Sequence, residues 1–407
     1  MENIQPNKET TDIVILVNGP GELSSYVRPI VLALNEKTRD IRLILVFTPC
    51  PYSTGKEIEI AKKIPAVVRV ITKEEFIGWA LLRKPPKDIK FSTKGVVVFL
   101  GGDILYGKMI AKRLKYPAIA YSEAYAKWPK IYRKFLVPDQ MIFDKFKKQG
   151  FPENQIKIVG NLMVDSIKLT KKRDAIFSEF RLDPKKKLVS FMPGSREFQV
   201  QFTFLFFAKT AKEISMASQD IQFAYIISPY LPKNHLDKHM KKAGFTLIND
   251  AFDYQGIKIK LITNDQLDAI AASDLIITIP GTNTAEVAII GTPMISVFPL
   301  ASAQLIPLEG LNDIIGRIPL LGFFFKNLYV KIMQSKIRFF AIPNIKTGRE
   351  IVPDLRGAIQ PRTIAEGAVA LLNNKVKLEN MRRELKVSLG GTGAAHKVAE
   401  EIFGTCD

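Results

Sequence analysis

Apolar residues follow two rhythms along the chain. Short unbroken runs rich in Val and Ile alternate with longer stretches in which apolar positions recur every three or four residues. The runs IVILV (Ile13–Val17) and VVVFL (Val96–Leu100) are apolar at consecutive positions. Strands of that kind need cover on both faces, as in a parallel sheet. Further strands are expected at Ile41–Phe47, Val68–Ile71, Pro117–Tyr121, Phe135–Val137 and Ile156–Val159, with helical patterns between them, the first ending near Asn35. A polar, Lys-rich stretch from Lys168 to Lys187 interrupts the alternation. It resumes at Leu188–Met192, then a helix to about Met216, and strands at Phe223–Ile227, Ile257–Ile262, Leu275–Ile279 and Met294–Val297. From Pro361 onward the pattern is helical to about Glu401. Strands separated by helices imply βαβ units. The expected architecture is α/β, with two Rossmann-like domains facing across a cleft. The domains are placed at 1–167 and 188–360, with a linker at 168–187 and terminal helices at 361–407 packing back on the first domain.

Composition narrows the class. The 407 residues are 47% hydrophobic and 24% charged, which suits a globular chain. Two cysteines exclude a disulfide scaffold, and three histidines leave little room for a histidine-rich metal centre. The opening MENIQPNKET lacks a basic segment followed by an apolar one, and no apolar run reaches the ~20 residues of a spanning helix. A cytoplasmic chain is expected. The net charge of +19 calls for an anionic partner. Between Ile314 and Arg349 there is no acidic residue, yet basic side chains mix with Phe323, Phe324 and Phe325. The stretch Phe76–Lys87 likewise sets Trp79 beside Arg83, Lys84 and Lys87. Cations next to Phe and Trp are what docking on anionic lipid requires. Membrane contact through Trp79, Phe323, Phe324 and Phe325 is therefore expected, against the alternative of core helices with a basic outer face. No nucleic-acid module is visible.

Four strand ends carry glycine turns. In VNGPGELSS (Val17–Ser25), Gly19 and Gly21 allow close approach, Glu22 faces the strand end, and Ser24 completes an acceptor-side loop. In FLGGDILYG (Phe99–Gly107), Asp103 follows a buried strand and two glycines. It is a candidate general base and equally a helix N-cap. In FMPGSRE (Phe191–Glu197), the amides near Gly194 and Ser195 can meet a phosphate, with Arg196 as a bidentate partner. In IPGTNTAEVAIIGTPM (Ile279–Met294), Gly281, Thr282, Asn283 and Thr284 form a second cradle, and Glu286 can accept hydrogen bonds from ribose hydroxyls. Asn344, Arg349 and Glu350 in AIPNIKTGREIVPDLRG read as a loop lining a site. His235 and His239 lack a third ligand at a recognisable spacing and read as a solvated helix face. There is neither a P-loop nor a nucleophile elbow.

In this order the motifs resemble those of lipid-A-disaccharide synthase, a glycosyltransferase family of the GT-B fold. PGSR, GTNTAEVAIIGTPM and above all PNIKTGREIVPDL (Pro343–Leu355) carry the resemblance, with GNLMVD (Gly160–Asp165) and AYSEAYAKWPK in support. NGPGELSS stands where the family has Ala-Gly-Glu-x-Ser-Gly-Asp, and Asp103 falls in the region of the family's Asp-x-Pro-Asp-Phe. The resemblance implies an inverting transfer of a sugar, an acylated glucosamine, from a UDP-sugar to a lipid-linked acceptor. The enzyme would sit peripherally on the inner face of the cytoplasmic membrane, with no metal and no cofactor. Its second domain would hold UDP through Gly194, Ser195, Arg196, Gly281, Thr282, Asn283, Thr284, Glu286, Asn344, Arg349 and Glu350. Asp103 would be the base, with Glu22 the alternative. A UDP-N-acetylglucosamine 2-epimerase-like enzyme and a non-enzymatic membrane-associated binding protein on this fold remain open, as does a homo-oligomer.

Overall fold

The computed structural model describes residues 10–36, 40–50, 55–123, 126–299 and 338–406. Phe323, Phe324 and Phe325 lie outside these residues. The chain forms two compact units, 1–166 with 390–407, and 167–389.

The first unit is built on seven parallel strands: β1 (Thr11–Val17), β2 (Ile41–Phe47), β3 (Val67–Ile71), β4 (Lys94–Phe99), β5 (Ala118–Tyr121), β6 (Tyr132–Val137) and β7 (Ile156–Ile158). Their order is β3-β2-β1-β4-β5-β6-β7. The period of two explains the unbroken apolar runs. Ile13, Ile15 and Val17 of β1 enter one core, with Val96 and Val98 of β4. Val14 and Leu16 enter the opposite core, with Val97 and Phe99. Each face is covered by helices, so no position on these strands can be polar without cost.

The first of these cores is closed by a late segment. The Ala394–Cys406 helix adds Ala394, Ala395, Val398, Ala399, Ile402 and Phe403 to it. Asp165 fixes that helix's start, accepting from the Gly393 and Ala395 amides at 2.7 and 2.6 Å. A carboxylate there satisfies otherwise unpaired N–H groups and suits the positive end of the helix dipole.

The second unit has eight strands: β8 (Lys187–Met192), β9 (Ile221–Ile226), β10 (Leu247–Ile248), β11 (Ala251–Tyr254), β12 (Ile257–Ile262), β13 (Leu275–Thr278), β14 (Met294–Pro299) and β15 (Asp354–Gly357). The order is β10-β11-β12-β9-β8-β13-β14-β15. β11 is antiparallel to β10 and β12, and the other pairs are parallel. Two boundaries differ from expectation. The Lys-rich stretch belongs to the second unit and contains a helix, Arg173–Glu179. Of the terminal helices, only the stretch from Gly390 belongs to the first unit, while Pro361–Leu372 and Lys375–Ser388 stay with the second. The hairpin of β11 and β12 turns on Gln255 and Gly256, both at positive φ (51° and 82°), a geometry favoured in tight hairpins.

Candidate functional site

In each sheet the strand order reverses about a central pair, β1 and β4 in the first unit, β8 and β13 in the second. Ligands of open α/β sheets bind beyond the carboxyl ends of the strands at such a reversal. All four glycine motifs singled out in the sequence emerge there: NGPGE after β1, GGD after β4, PGSR after β8 and PGTN after β13.

In the second unit, Gly194 has φ 107°, and a Cβ there would lie 2.5 Å from Gln199 Oε1 and 2.9 Å from Ile279 Cδ1. The same Gln199 oxygen accepts from the amides of Ser195 and Arg196 at 3.1 and 3.2 Å. These two amides were expected to face a phosphate. They are held instead by a residue in the first turn of the following helix, Glu197–Ala217, as in a capping box. Arg196 is half-buried just before that helix.

After β13, Gly281 takes φ 146° and opens the Thr282–Ile290 helix. Asn283 turns back on the strand end, its Nδ2 donating to the Ile279 carbonyl at 3.0 Å and to the Thr278 hydroxyl. Thr284 is fully buried, donates to the Gly281 carbonyl at 2.7 Å, and accepts from the Ile342 amide at 3.1 Å. Both side chains therefore fasten the turn. Thr282 is exposed. Glu286 is half-buried and makes no hydrogen bond or ion pair among the described residues. Desolvation raises its carboxyl from 4.5 to about 7. A carboxylate in that condition gains from any hydroxyl donor brought to it.

Asn344 corrects the expectation for the Pro343–Leu355 block. It is fully buried, and its Oδ1 accepts from the Ile351 and Val352 amides at 2.8 and 3.1 Å. Its Nδ2 donates to the Val352 carbonyl at 2.9 Å. The side chain clamps the loop shut and faces no open space. Arg349 is exposed and pairs with Glu384 at 3.1 Å. Glu350 accepts from the Asp354 amide at 3.4 Å. Histidine placement also departs from expectation, since His239 is buried at 4% exposure with Nε2 3.5 Å from Glu197. Burial lowers its pKa.

In the first unit, Glu22 ends a short helical turn, Pro20–Glu22, that runs into a π-turn at Leu23–Val27 before the Arg28–Asn35 helix. Such π-turns are frequent at functional sites. Glu22 reaches both glycine loops. A Cβ on Gly101 would sit 2.7 Å from Glu22 Cγ, and one on Gly19 would sit 3.0 Å from Glu22 Oε2. Ser24 donates to the Gly21 carbonyl at 3.1 Å, holding the loop. Asp103 is exposed and caps the Ile104–Leu114 helix by accepting from the Leu105 amide at 2.9 Å. That cap occupies Oδ1 and is compatible with chemistry at the other oxygen.

Sequence reasoning missed two groups at this end of the sheet. Tyr26, lifted by the π-turn, and Tyr121, at the end of β5, both donate to Glu123 Oε1, at 3.0 and 3.3 Å. Burial leads the causes that keep both phenols neutral. The second group is Asn18 and Thr48. Asn18 Oδ1 and Thr48 Oγ1 are buried without a hydrogen-bond partner. No motif marked Thr48, although its position directly after β2 places it beside β1. Trp79, by contrast, is a correction. It is 3% exposed and stacks on Phe91 with centroids 5.0 Å apart, so it is core and touches no membrane.

Two units, each with an α/β sheet whose glycine motifs lie at the strand-order reversal, give the chain the GT-B fold class, which solved structures share. The Methanocaldococcus jannaschii UDP-GlcNAc 2-epimerase, solved in complex with UDP-GlcNAc and UDP, is similar over 97% of this chain and 99% of that one, with TM-score 0.54 and 16% identity. Within that fold the sequence is more specific. The family model described as Lipid-A-disaccharide synthetase matches residues 142–402, and the chain belongs to that family. The lipid-A-disaccharide synthase of Syntrophus aciditrophicus (strain SB) is 26% identical over 248 residues, 60% of this chain and 56% of that protein. That of Anaeromyxobacter dehalogenans (strain 2CP-1 / ATCC BAA-258) is 25% identical over 235 residues, 57% and 52% of the two chains. The matches thus span little more than half the length of these relatives.

Proposed function

We propose that the chain is an inverting glycosyltransferase that moves a sugar from a UDP-sugar to a lipid-linked acceptor at a membrane surface. The observation that carries this reading is Glu286. It lies one turn into the Thr282–Ile290 helix that leaves the second unit's reversal point, it has no hydrogen bond or ion pair among the described residues, and burial raises its pKa to about 7. A ribose diol supplies the hydroxyl donors such a group lacks. In this reading the second unit holds the donor, with Glu286 on the ribose and Thr282 and Arg196 toward the diphosphate. The first unit holds the acceptor. The acceptor oxygen attacks the anomeric carbon as the bond from that carbon to the phosphate oxygen breaks. The proton passes to Asp103, or to Glu22, and UDP leaves with the bonding pair. Charge grows on the diphosphate during this step, so Arg196 and the Thr282–Ile290 helix dipole stabilise the transition state more than the ground state.

Membrane contact is supported by a different set of residues from those first expected. In the Lys73–Leu82 helix, Phe76 and Trp79 point inward, while Ile77 and Leu82 are 40% and 64% exposed beside Arg83, Lys84 and Lys87. Among the described residues no helix is long and apolar enough to cross a membrane.

The test is incubation with radiolabelled UDP-sugars and a bacterial membrane lipid extract. Release of UDP together with a labelled lipid product is expected. Conversion of UDP-GlcNAc to its 2-epimer without UDP release would instead favour the epimerase reading. No release with any donor would end the proposal. Arg196→Ala should weaken UDP binding in calorimetry by at least tenfold.

A further inference from the structure

Two carboxylates at the carboxyl end of the first sheet, Glu22 and Glu123, are linked through one phenol. Glu123 lies two residues beyond Tyr121, just past the end of β5. The sheet holds the chain almost up to it, because the Ser122 amide donates to the Leu136 carbonyl of β6 at 3.0 Å. Its Oε1 accepts from Tyr26 at 3.0 Å and from Tyr121 at 3.3 Å. The two rings also pack on each other, with centroids 5.2 Å apart. Tyr26 sits in the π-turn Leu23–Val27, four residues after Glu22. Burial, then the charge of Glu123, then that of Glu22, pushes its phenol upward, so both carboxylates act on one hydroxyl. Glu22 in turn abuts the Gly19 and Gly101 loops.

The turn is of the wide kind, since the Arg28 amide donates to the Leu23 carbonyl five residues back. Such turns are rare beside the ordinary α geometry. Reverting to that geometry would rotate the chain before the turn by one residue, about 100°, against the Arg28–Asn35 helix behind it. Glu22 is the residue immediately before the turn, so its side chain would leave the two glycine loops. An anchor outside the turn opposes that change, and the Tyr26 hydroxyl reaches one on another strand's end. A hydrogen bond to a carboxylate is stronger than a neutral one, which suits the task. We infer that Glu123 is a positioning residue: through Tyr26 it holds the π-turn in place and keeps Glu22 against the Gly19 and Gly101 loops. This rests on the reading that the first unit holds the acceptor and that Glu22 serves it, and it deepens that reading by adding a residue that acts through Glu22.

Backbone hydrogen exchange of the full chain, read on peptides covering residues 20–28, reports the turn without any substrate. Tyr26→Phe removes the hydroxyl and keeps the ring. Glu123→Ala removes the acceptor, and Glu123→Gln keeps an oxygen that accepts. Exchange should quicken by about 10- to 100-fold in Tyr26→Phe and Glu123→Ala, the worth of one hydrogen bond to a charged group. In Glu123→Gln it should stay within about fivefold of wild type. In the transfer assay Tyr26→Phe and Glu123→Ala should lower kcat by about 10- to 100-fold at unchanged donor KM, and Glu123→Gln should restore most of it. Adding Tyr26→Phe or Glu123→Ala to Glu22→Gln should lower kcat no further, because the second change removes a contribution already lost. Wild-type exchange in Tyr26→Phe overturns the inference. So do quickened exchange with wild-type kcat, a rise in donor KM alone, and additive losses in the double variants. If Glu123→Ala does not fold, Tyr26→Phe decides every arm by itself. The two readings fail separately: a wild type that releases no UDP from any donor sinks the transferase reading, while exchange still decides whether Glu123 holds the turn.

Discussion

Replacing Glu286 with Gln gives the sharpest measurement of the donor site. The folded carboxyl sits at about 7 against 4.5 for the free group. Each tenfold in that ratio is worth about 1.4 kcal/mol, so the full difference is about 3 kcal/mol. Glu286 keeps some solvent contact, which trims this to about 2 kcal/mol. The sign follows from proton uptake. The folded state holds the proton more tightly, so the contribution is fully present below pH 4.5 and disappears as pH rises through 7. Glu286→Gln is neutral throughout. It should match wild type near pH 4.5 and exceed it by about 2 kcal/mol at pH 8 in urea unfolding. Donor binding should move the other way. UDP-GlcNAc carries no phosphate that titrates between pH 5.5 and 8.5, so Glu286 is the group that sets the slope. Only about 3% of a carboxyl with a pKa of 7 is ionised at pH 5.5, so the wild-type affinity should rise by about 10- to 30-fold up to pH 8.5. In Glu286→Gln the profile should be flat and weak. Calorimetric titrations across that range decide the matter. A flat wild-type profile, or the same slope in the variant, would show that Glu286 does not meet the nucleotide.

Three further substitutions separate structural from chemical roles. Asn344→Ala strands two amides and one carbonyl in the interior. It should cost about 3–4 kcal/mol in urea unfolding while changing UDP affinity by less than about threefold at 10 °C. A large loss of affinity with intact stability would return Asn344 to the site. Trp79→Ala should cost about 3–5 kcal/mol and leave the vesicle binding of the folded protein unchanged, as read by sedimentation with phosphatidylglycerol vesicles. Asp103→Ala should lose about 1 kcal/mol of helix capping, whereas Asp103→Asn keeps the cap. If Asp103 is the base, both should lower turnover by at least 100-fold, and near-normal turnover in Asp103→Asn would leave it only the capping role.

Strand positions were legible because a doubly covered strand tolerates almost no polar residue, and Ile13–Val17 and Val96–Leu100 advertise that. The glycine turns were legible for a similar reason, since Gly194 and Gly102 occupy backbone conformations and spaces that a side chain would fill. Strand order was not legible, because it is fixed by pairings between residues as distant as Leu16 and Phe99. The short hairpin of β10 and β11 and the edge strand β15 were too brief to stand out from loops. Within the motifs, the residue types that bind ligands are also those that fasten turns. Asn344, Thr284 and Asn283 have the composition of ligands but spend their hydrogen bonds on the backbone. Gln199 could have been suspected from its place in the first turn after Arg196, a capping-box spacing. Thr48 had no signal, because its unpaired oxygen is a property of the packed structure alone.

The Ala394–Cys406 helix makes the first unit a two-part object. Its seven strands leave the ribosome early, but the piece that seals one side of them is translated only after all of residues 167–389. Until then Ile13, Ile15, Val96 and Val98 line a greasy, half-roofed face on a nascent chain that already carries an entire second fold. A premature stop near residue 390 would therefore wound the half made first, and the half made last before the stop would emerge whole.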